Sequence, residues 1–188
     1  SLVGTTTADF VGLDGITELT NGNYVVSSSL WDNAGAVTFG SGTTGISGAV
    51  SSANSLVGTL DNDQIGSDGV LALSTGNYVV SSNNWGIDSG FPLGATTFGS
   101  GITGISGEVS AANSLIIANP ANGTSDFYSI TELANGNYVV ANPSWSDGIV
   151  AQAGAVTFGS GLTGISGEIS AANSLVGSSA ADLVGQQG

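Results

Sequence analysis

The chain has 188 residues with no Lys, Arg, His, Cys or Met, set against fourteen Asp and Glu, for a formal charge of −14. That balance excludes nucleic acid and anionic membrane surfaces as expected partners, because both recruit Lys and Arg. It also removes the usual bases and charge stabilisers of acyl and phosphoryl transfer, so no enzyme is expected.

Without a cationic side chain, every carboxylate must be solvated, hydrogen-bonded or metal-bound. Apolar residues make up 40% of the chain and Gly numbers 31. That mixture of β-formers and turn-formers reads as all-β. No apolar run approaches the ~20 residues of a membrane span. The chain opens in mid-pattern with "SLVG" and has no charged leader, so no signal peptide is expected in it. The absence of Cys leaves the redox compartment unread.

In chain order, "GITEL" (15–19) and "NYVV" (23–26) form the clearest hairpin, joined at Asn21-Gly22. Asn-Gly favours a type I′ turn. Trp31 follows, then a loop, then a third strand "GAVTFG" (35–40), bounded by Gly. A fourth, best seen in "ISGEISAANSLVG" (165–177), alternates small or apolar with polar residues and is interrupted by its Gly. The pattern then returns. "GNYVV" stands at 22–26, 76–80 and 136–140, a Trp follows at 31, 85 and 145, and "TGISG" stands at 44–48, 103–107 and 163–167. The copies run 1–54, 55–113 and 114–173, and residues 174–188 begin a fourth. The first copy lacks five residues between its Trp and "TFGSG", which marks a loop. The chain reads as one array, a window of a longer one.

Four antiparallel strands in ~60 residues, repeated, predict tandem β-sheet units like propeller blades. Three blades do not close a ring of about four to eight, so an open, solenoid-like stack of sheets is the alternative architecture.

Residues 61–101, "DNDQIGSDGVLALSTGNYVVSSNNW…LGATTFGSG", resemble the FG-GAP repeats of integrin-α-type β-propellers and their bacterial relatives. "DQIGSDGVLAL" stands where the FG segment would, "NYVVSSNNW" where the "VVGAP"-like strand would, and "GAVTFG" where the "GAVYVF"-like strand would. The whole chain is similar to Gly/Ser/Asn-rich tandem repeats of very large bacterial surface and secreted proteins. The resemblance implies extracellular or cell-surface repeats with a structural or adhesive role in a fibre, sheath or giant adhesin, partnered by further copies of themselves. Its alternative implication is a propeller binding module for a glycan or protein ligand, with or without calcium. The family's Asp-x-Asp-x-Asp-Gly calcium loop is absent here.

Four groups of residues are candidates for a role. Asp61, Asp63 and Asp68 are the densest acidic cluster. Hard cations take about six to eight oxygens, but Asp in such loops more often caps backbone N–H groups, and the EF-hand spacing fails at Ile65. Asp9, Asp63 and Asp182 share one repeat position, three residues before a Gly. Trp31, Trp85 and Trp145 are the candidates for stacking on a sugar, although packing between units is the expectation for so large a side chain. Glu108 and Glu168 are repeat-equivalent, as are Glu18 and Glu132, which places them on strand faces rather than across a scissile bond. Asn122-Gly-Thr124 is a glycosylation sequon, incidental in a bacterial context.

The most constant stretch is "TFGSGxTGISGxxSAANSL" at 97–115 and 157–175, with a close variant at 38–56. Repeats that touch only their neighbours rely on inter-repeat contacts. This stretch is therefore expected to be the packing element between units, through Gly45, Gly104 and Gly164 and through Ala53, Ala112 and Ala172. No cofactor is expected beyond the calcium option.

Overall fold

The computed structural model describes residues 1–86, 92–117 and 129–186. The sequon and most of the divergent opening of the third copy lie outside the described residues, as do positions 87–91 of the loop after Trp85.

A lone strand β1 (Leu2–Val3) precedes three rounds of one five-strand pattern. The first round is β2 (Ile16–Glu18), β3 (Tyr24–Ser28), β4 (Ala36–Gly40), β5 (Gly48–Ala49) and β6 (Ser55–Val57). The second is β7 (Val70–Ala72), β8 (Tyr78–Ser82), β9 (Ala95–Gly99), β10 (Gly107–Glu108) and β11 (Ser114–Ile116). The third is β12 (Ser129–Glu132), β13 (Tyr138–Asn142), β14 (Ala155–Gly159), β15 (Gly167–Glu168) and β16 (Ser174–Val176). Among the described residues no helix is long and apolar enough to cross a membrane.

In each round the first three strands make an antiparallel meander and the fifth returns beside the third, giving β2-β3-β4-β6, β7-β8-β9-β11 and β12-β13-β14-β16. These are the four-stranded antiparallel units that the repeat length predicts. The expected fourth strand, however, is two short strands with different partners. Its second half closes its own sheet. Its first half leaves the unit: β10 runs parallel to β6, and β15 parallel to β11. β5 does the same with β1. The first two sheets are thus each finished by a strand from the following unit.

The hairpin turn differs from the type I′ expectation. Leu19 accepts from Gly22 N–H at 2.9 Å and donates to the Asn23 carbonyl at 2.8 Å. Gly22 has φ +83° while Asn21 keeps a negative φ. This is a three-residue loop, a type I turn closed by a left-handed Gly. Only the Gly needs positive φ, which is why Thr75 substitutes for Asn at the same place.

The sheets carry apolar side chains on both faces. On β3, Val25 faces the following unit while Tyr24 faces the preceding side. One apolar cluster joins Val25, Val37 and Leu56 of the first unit to Tyr78, Val80 and Ala95 of the second. A second joins Val79 and Leu115 to Tyr138, Val140 and Ala155 of the third. The cores lie between units, not inside them. Leu56 and Leu115 are fully buried in these joints, whereas the equivalent Leu175, which no described unit covers, is 70% exposed. Full burial of such a side chain contributes about 1.5–3 kcal/mol.

Inside each sheet a polar pair recurs. Thr38, Thr97 and Thr157 lie opposite Ser55, Ser114 and Ser174, with hydroxyl separations of 2.7 Å. Ser114 gives its one proton to Asn113 Oδ1 at 2.9 Å, so Thr97 is the donor to Ser114. Asn113 Oδ1 also accepts from Ser110 N–H at 2.9 Å, and its Nδ2 donates to the Glu108 carbonyl at 2.8 Å. The chain of hydroxyls and amide holds β10 and β11 at the two ends of one turn. Ser114→Ala leaves a buried Thr donor and an Asn acceptor short of partners, while Thr97→Val leaves Ser114 still bonded to Asn113. Ser114→Ala is expected to cost about 2 kcal/mol and Thr97→Val about 1 kcal/mol in urea unfolding; the reverse order would refute this direction of donation.

Candidate functional site

The surface on which the chemistry of this chain concentrates is the joint between units. It is built mainly from the constant stretch. Tyr24, Tyr78 and Tyr138 lie opposite Gly40, Gly99 and Gly159, and a Cβ on Gly99 would stand 2.1 Å from the Tyr78 ring. The Gly after each Phe makes room for the cross-strand ring. Burial pushes the Tyr138 hydroxyl up to about 12, only partly opposed by the backbone of Ile165, and Tyr78 is raised further.

Across the joint, Gly104 seats against Phe39 of the preceding unit and Gly164 against Phe98. Added Cβ atoms would come within 2.6 Å and 2.5 Å of the Phe Cβ atoms, and both glycines have φ +72°. Gly45 has the same backbone conformation, φ +71°, but among the described residues meets only Tyr24 Oη, at 3.9 Å. Ala53, Ala112 and Ala172 do not share this role. All three are exposed in the turn that Asn54, Asn113 and Asn173 organise. The inward position is the residue before: Ala111 packs against the first joint.

A ladder of amides crosses the joints at one end of the sheets. Asn23 Oδ1 accepts from Gly42 N–H of its own unit at 2.9 Å, and its Nδ2 donates to the Gly101 carbonyl of the next at 2.7 Å. Asn77 repeats both bonds with Gly101 N–H at 2.9 Å and the Gly161 carbonyl at 2.8 Å. Asn21 and Thr75 add bonds to the same two carbonyls at 2.7 Å and 2.9 Å. Glu132 reaches back to Ser74 N–H at 2.6 Å. None of these cross-unit partners was legible in the sequence, although the invariance of the Asn in "GNYVV" was the signal.

Two of the three Trp rings belong to the joints between units. Trp145 is buried in the second cluster, and Trp85 and Trp31 are half-buried against the first cluster and the N-terminal one. The loops after them differ in length but close alike. Gly35, Gly94 and Gly154 each donate to the carbonyl of the Trp, at 2.8, 2.9 and 3.0 Å. In the longest described loop, Asp147 caps Val150 and Ile149 N–H, which holds its carboxyl below the usual range.

The acidic residues are occupied by backbone. Asp63 is buried and accepts from Thr59, Leu60 and Gly86 N–H at 2.8, 2.9 and 2.8 Å, tying the crossing between units to the loop after Trp85. Asp68 caps Asn83 N–H at 2.8 Å, as Asp14 caps Ser29 N–H at 2.6 Å. Asp61 is exposed. Among the described residues no three acidic side chains converge as a metal site, so the structure does not bring Asp61, Asp63 and Asp68 together. Glu108 and Glu168 are exposed on β10 and β15.

At Asp9, burial pushes the carboxyl up, but hydrogen bonds from the Thr6 hydroxyl and from Thr6, Thr5 and Asp32 N–H outweigh it and hold it at about 2, down from 3.8. Its contribution to stability is present above the unfolded value and is lost as pH falls through the folded one, between about pH 4 and pH 2. Asp9→Asn should therefore melt lower than wild type near neutral pH, with the gap closing towards about pH 2. A gap independent of pH would show that the carboxylate is not the stabilising species.

The seating of Gly104 on Phe39 makes a paired prediction. Gly45→Ala meets only the strain of a left-handed backbone, about 1 kcal/mol, while Gly104→Ala adds the clash across the joint and is expected to cost about 2–4 kcal/mol in total. Equal denaturation midpoints for the two variants would remove Gly104 from the joint.

Comparison with known proteins finds one family, described as a repeat of unknown function (DUF5650), which matches three times, at residues 18–67, 72–124 and 132–186. No curated protein and no solved structure matches the chain.

Proposed function

Since the chain belongs to this family of repeats of unknown function, no activity comes with membership, and we propose that it is a non-enzymatic structural unit of an extracellular surface fibre, sheath or giant adhesin, acting by self-association. The observation that carries this reading is the placement of the apolar clusters between units. A unit whose two faces are both apolar is complete only with a neighbour on each side, and such a module propagates by adding neighbours. The resemblance of residues 61–101 to FG-GAP-type repeats supports a location outside the cell as part of the same proposal. A chain free of Lys and Arg presents no trypsin cleavage site, which suits that location. Its net charge of −14 keeps the outer surface hydrated and discourages lateral clumping. The proposal needs no cofactor: the buried carboxylates already have backbone donors.

Electron microscopy of the native material, with and without a calcium chelator, tests it. Long filaments whose axial repeat matches one or three units, unchanged by chelation, are expected. Discrete rings of fixed diameter would overturn the structural reading in favour of a closed propeller that presents loops to a glycan or protein ligand. Rings or filaments lost on chelation would bring calcium back into the structure.

A further inference from the structure

The middle unit differs from the other two at one place, and three differences meet there. The first is its leading strand, β7, which among the described residues pairs with β8 only. Leu73 N–H reaches the Asn77 carbonyl at 2.8 Å and Ser81 N–H the Gly69 carbonyl at 3.0 Å, with Leu71 opposite Val79 between them. Bonded positions alternate along an antiparallel strand. Val70 and Ala72 therefore turn their N–H and C=O groups outward, where they have no partner among the described residues. β2 and β12 have the same bare edge, but each carries a carboxylate in it: residues 16–19 and 130–133 both read "ITEL", against "VLAL" at 70–73. A strand added beside Glu18 or Glu132 has to desolvate that charge, whereas beside Ala72 it does not.

The second difference is a cleft of about 380 Å³ alongside β7, lined by Val70, Leu71 and Val79 of the middle unit, by Ile130 of the next, and by the polar Asp68 and Ser81. The third is Asp68 itself, which is exposed. Its Oδ2 accepts from Asn83 N–H at 2.8 Å and from the Ser67 hydroxyl at 3.0 Å, while Oδ1 has no donor among the described residues. At the equivalent Asp14 both oxygens are taken, by Ser29 N–H at 2.6 Å and by the Ser29 hydroxyl at 2.9 Å. Asn83 stands in the place of that Ser and has no hydroxyl to give. Free backbone groups, an apolar slot and an unmet carboxylate oxygen thus lie together within residues 68–72. We propose that β7 is a docking edge for an extended, basic segment of a partner protein. The segment adds as a strand through Val70 and Ala72, seats an apolar side chain in the cleft and sets a Lys or Arg against Asp68. The occupant is not a second copy, because this chain has no Lys or Arg to offer. The edge lies to the side of the stacked faces, so the site serves a filament or a ring alike and stands independently of the structural reading above.

Titration of the full chain with the peptide acetyl-Lys-Val-Thr-Val-Lys-amide, followed by calorimetry and amide hydrogen exchange, tests the site. Saturable binding that slows exchange at the Val70 and Ala72 amides is expected. The same peptide with Glu for Lys should not bind, and neither should one with N-methylated amides, which keeps the charge and loses the backbone donors. Ala72→Pro deletes an outward N–H and no ladder bond, so the sheet survives, as circular dichroism checks. It should weaken binding by about tenfold or more. Asp68→Asn keeps an acceptor for Asn83 N–H and should weaken binding about two- to fivefold. Glu18→Pro, the same change in β2, should leave it unaltered. Binding that survives N-methylation or Ala72→Pro would be charge attraction without strand addition and would overturn the proposal, as would no binding at all. Dimers that form without peptide and are lost in Ala72→Pro would overturn the basic partner in favour of a second copy. Filaments or rings in the microscope decide the structural reading separately.

Discussion

A sheet with two apolar faces cannot satisfy itself. Each unit here has four short strands and no layer of its own to pack on them, so its burial is supplied by the sheets before and after it. The other features answer to that constraint. Backbone glycines occur where the next sheet must come close, and polar pairs such as Thr97–Ser114 tie strands laterally without competing for the faces. Two-residue strands leave their own sheet to close the neighbour's edge, which leaves fewer bare backbone groups between sheets.

Electrostatics is shaped by the same economy of residue types. With no cation in the chain, a buried carboxylate has only hydrogen-bond donors to meet it. Asp9, Asp63 and Asp182 each take adjacent backbone N–H groups in the segment that crosses between units. One residue thereby shapes a turn and pins it, and the charge is held by dipoles that belong to the fold. The surface charge, left unneutralised, falls on exposed positions such as Glu18, Asp61 and Glu108.

Much of the unit was legible from residues. The strands at "NYVV" and "GAVTFG" follow from β-branched runs bounded by Gly, and the Trp loop from a five-residue length difference. Gly104 and Gly164 were read as joint residues from their place in the constant stretch, and each closes a turn on Ser100 or Ser160 while seating against a Phe of the preceding unit. Ala112 could not be separated from Ala111, since which of two adjacent small residues faces inward depends on the turn that Asn113 builds. The type I′ expectation failed at Asn21 because a Gly one residue later permits a three-residue loop as readily as a two-residue one.

By itself, the sequence determined the all-β class, the period, and the residues that recur. These are local properties: alternation, turn chemistry and self-similarity need no knowledge of distant contacts. Only the tertiary structure decided where "GE" at 107–108 goes. A two-residue strand carries no pattern from which a partner or register can be read. Its placement on β6 of the preceding unit is set by the length of the turn on either side and by the sheet edge that happens to be within reach. The same holds for the amide ladder: Asn23 is visible as an invariant residue, but its bond to Gly101 exists only once two sheets are stacked.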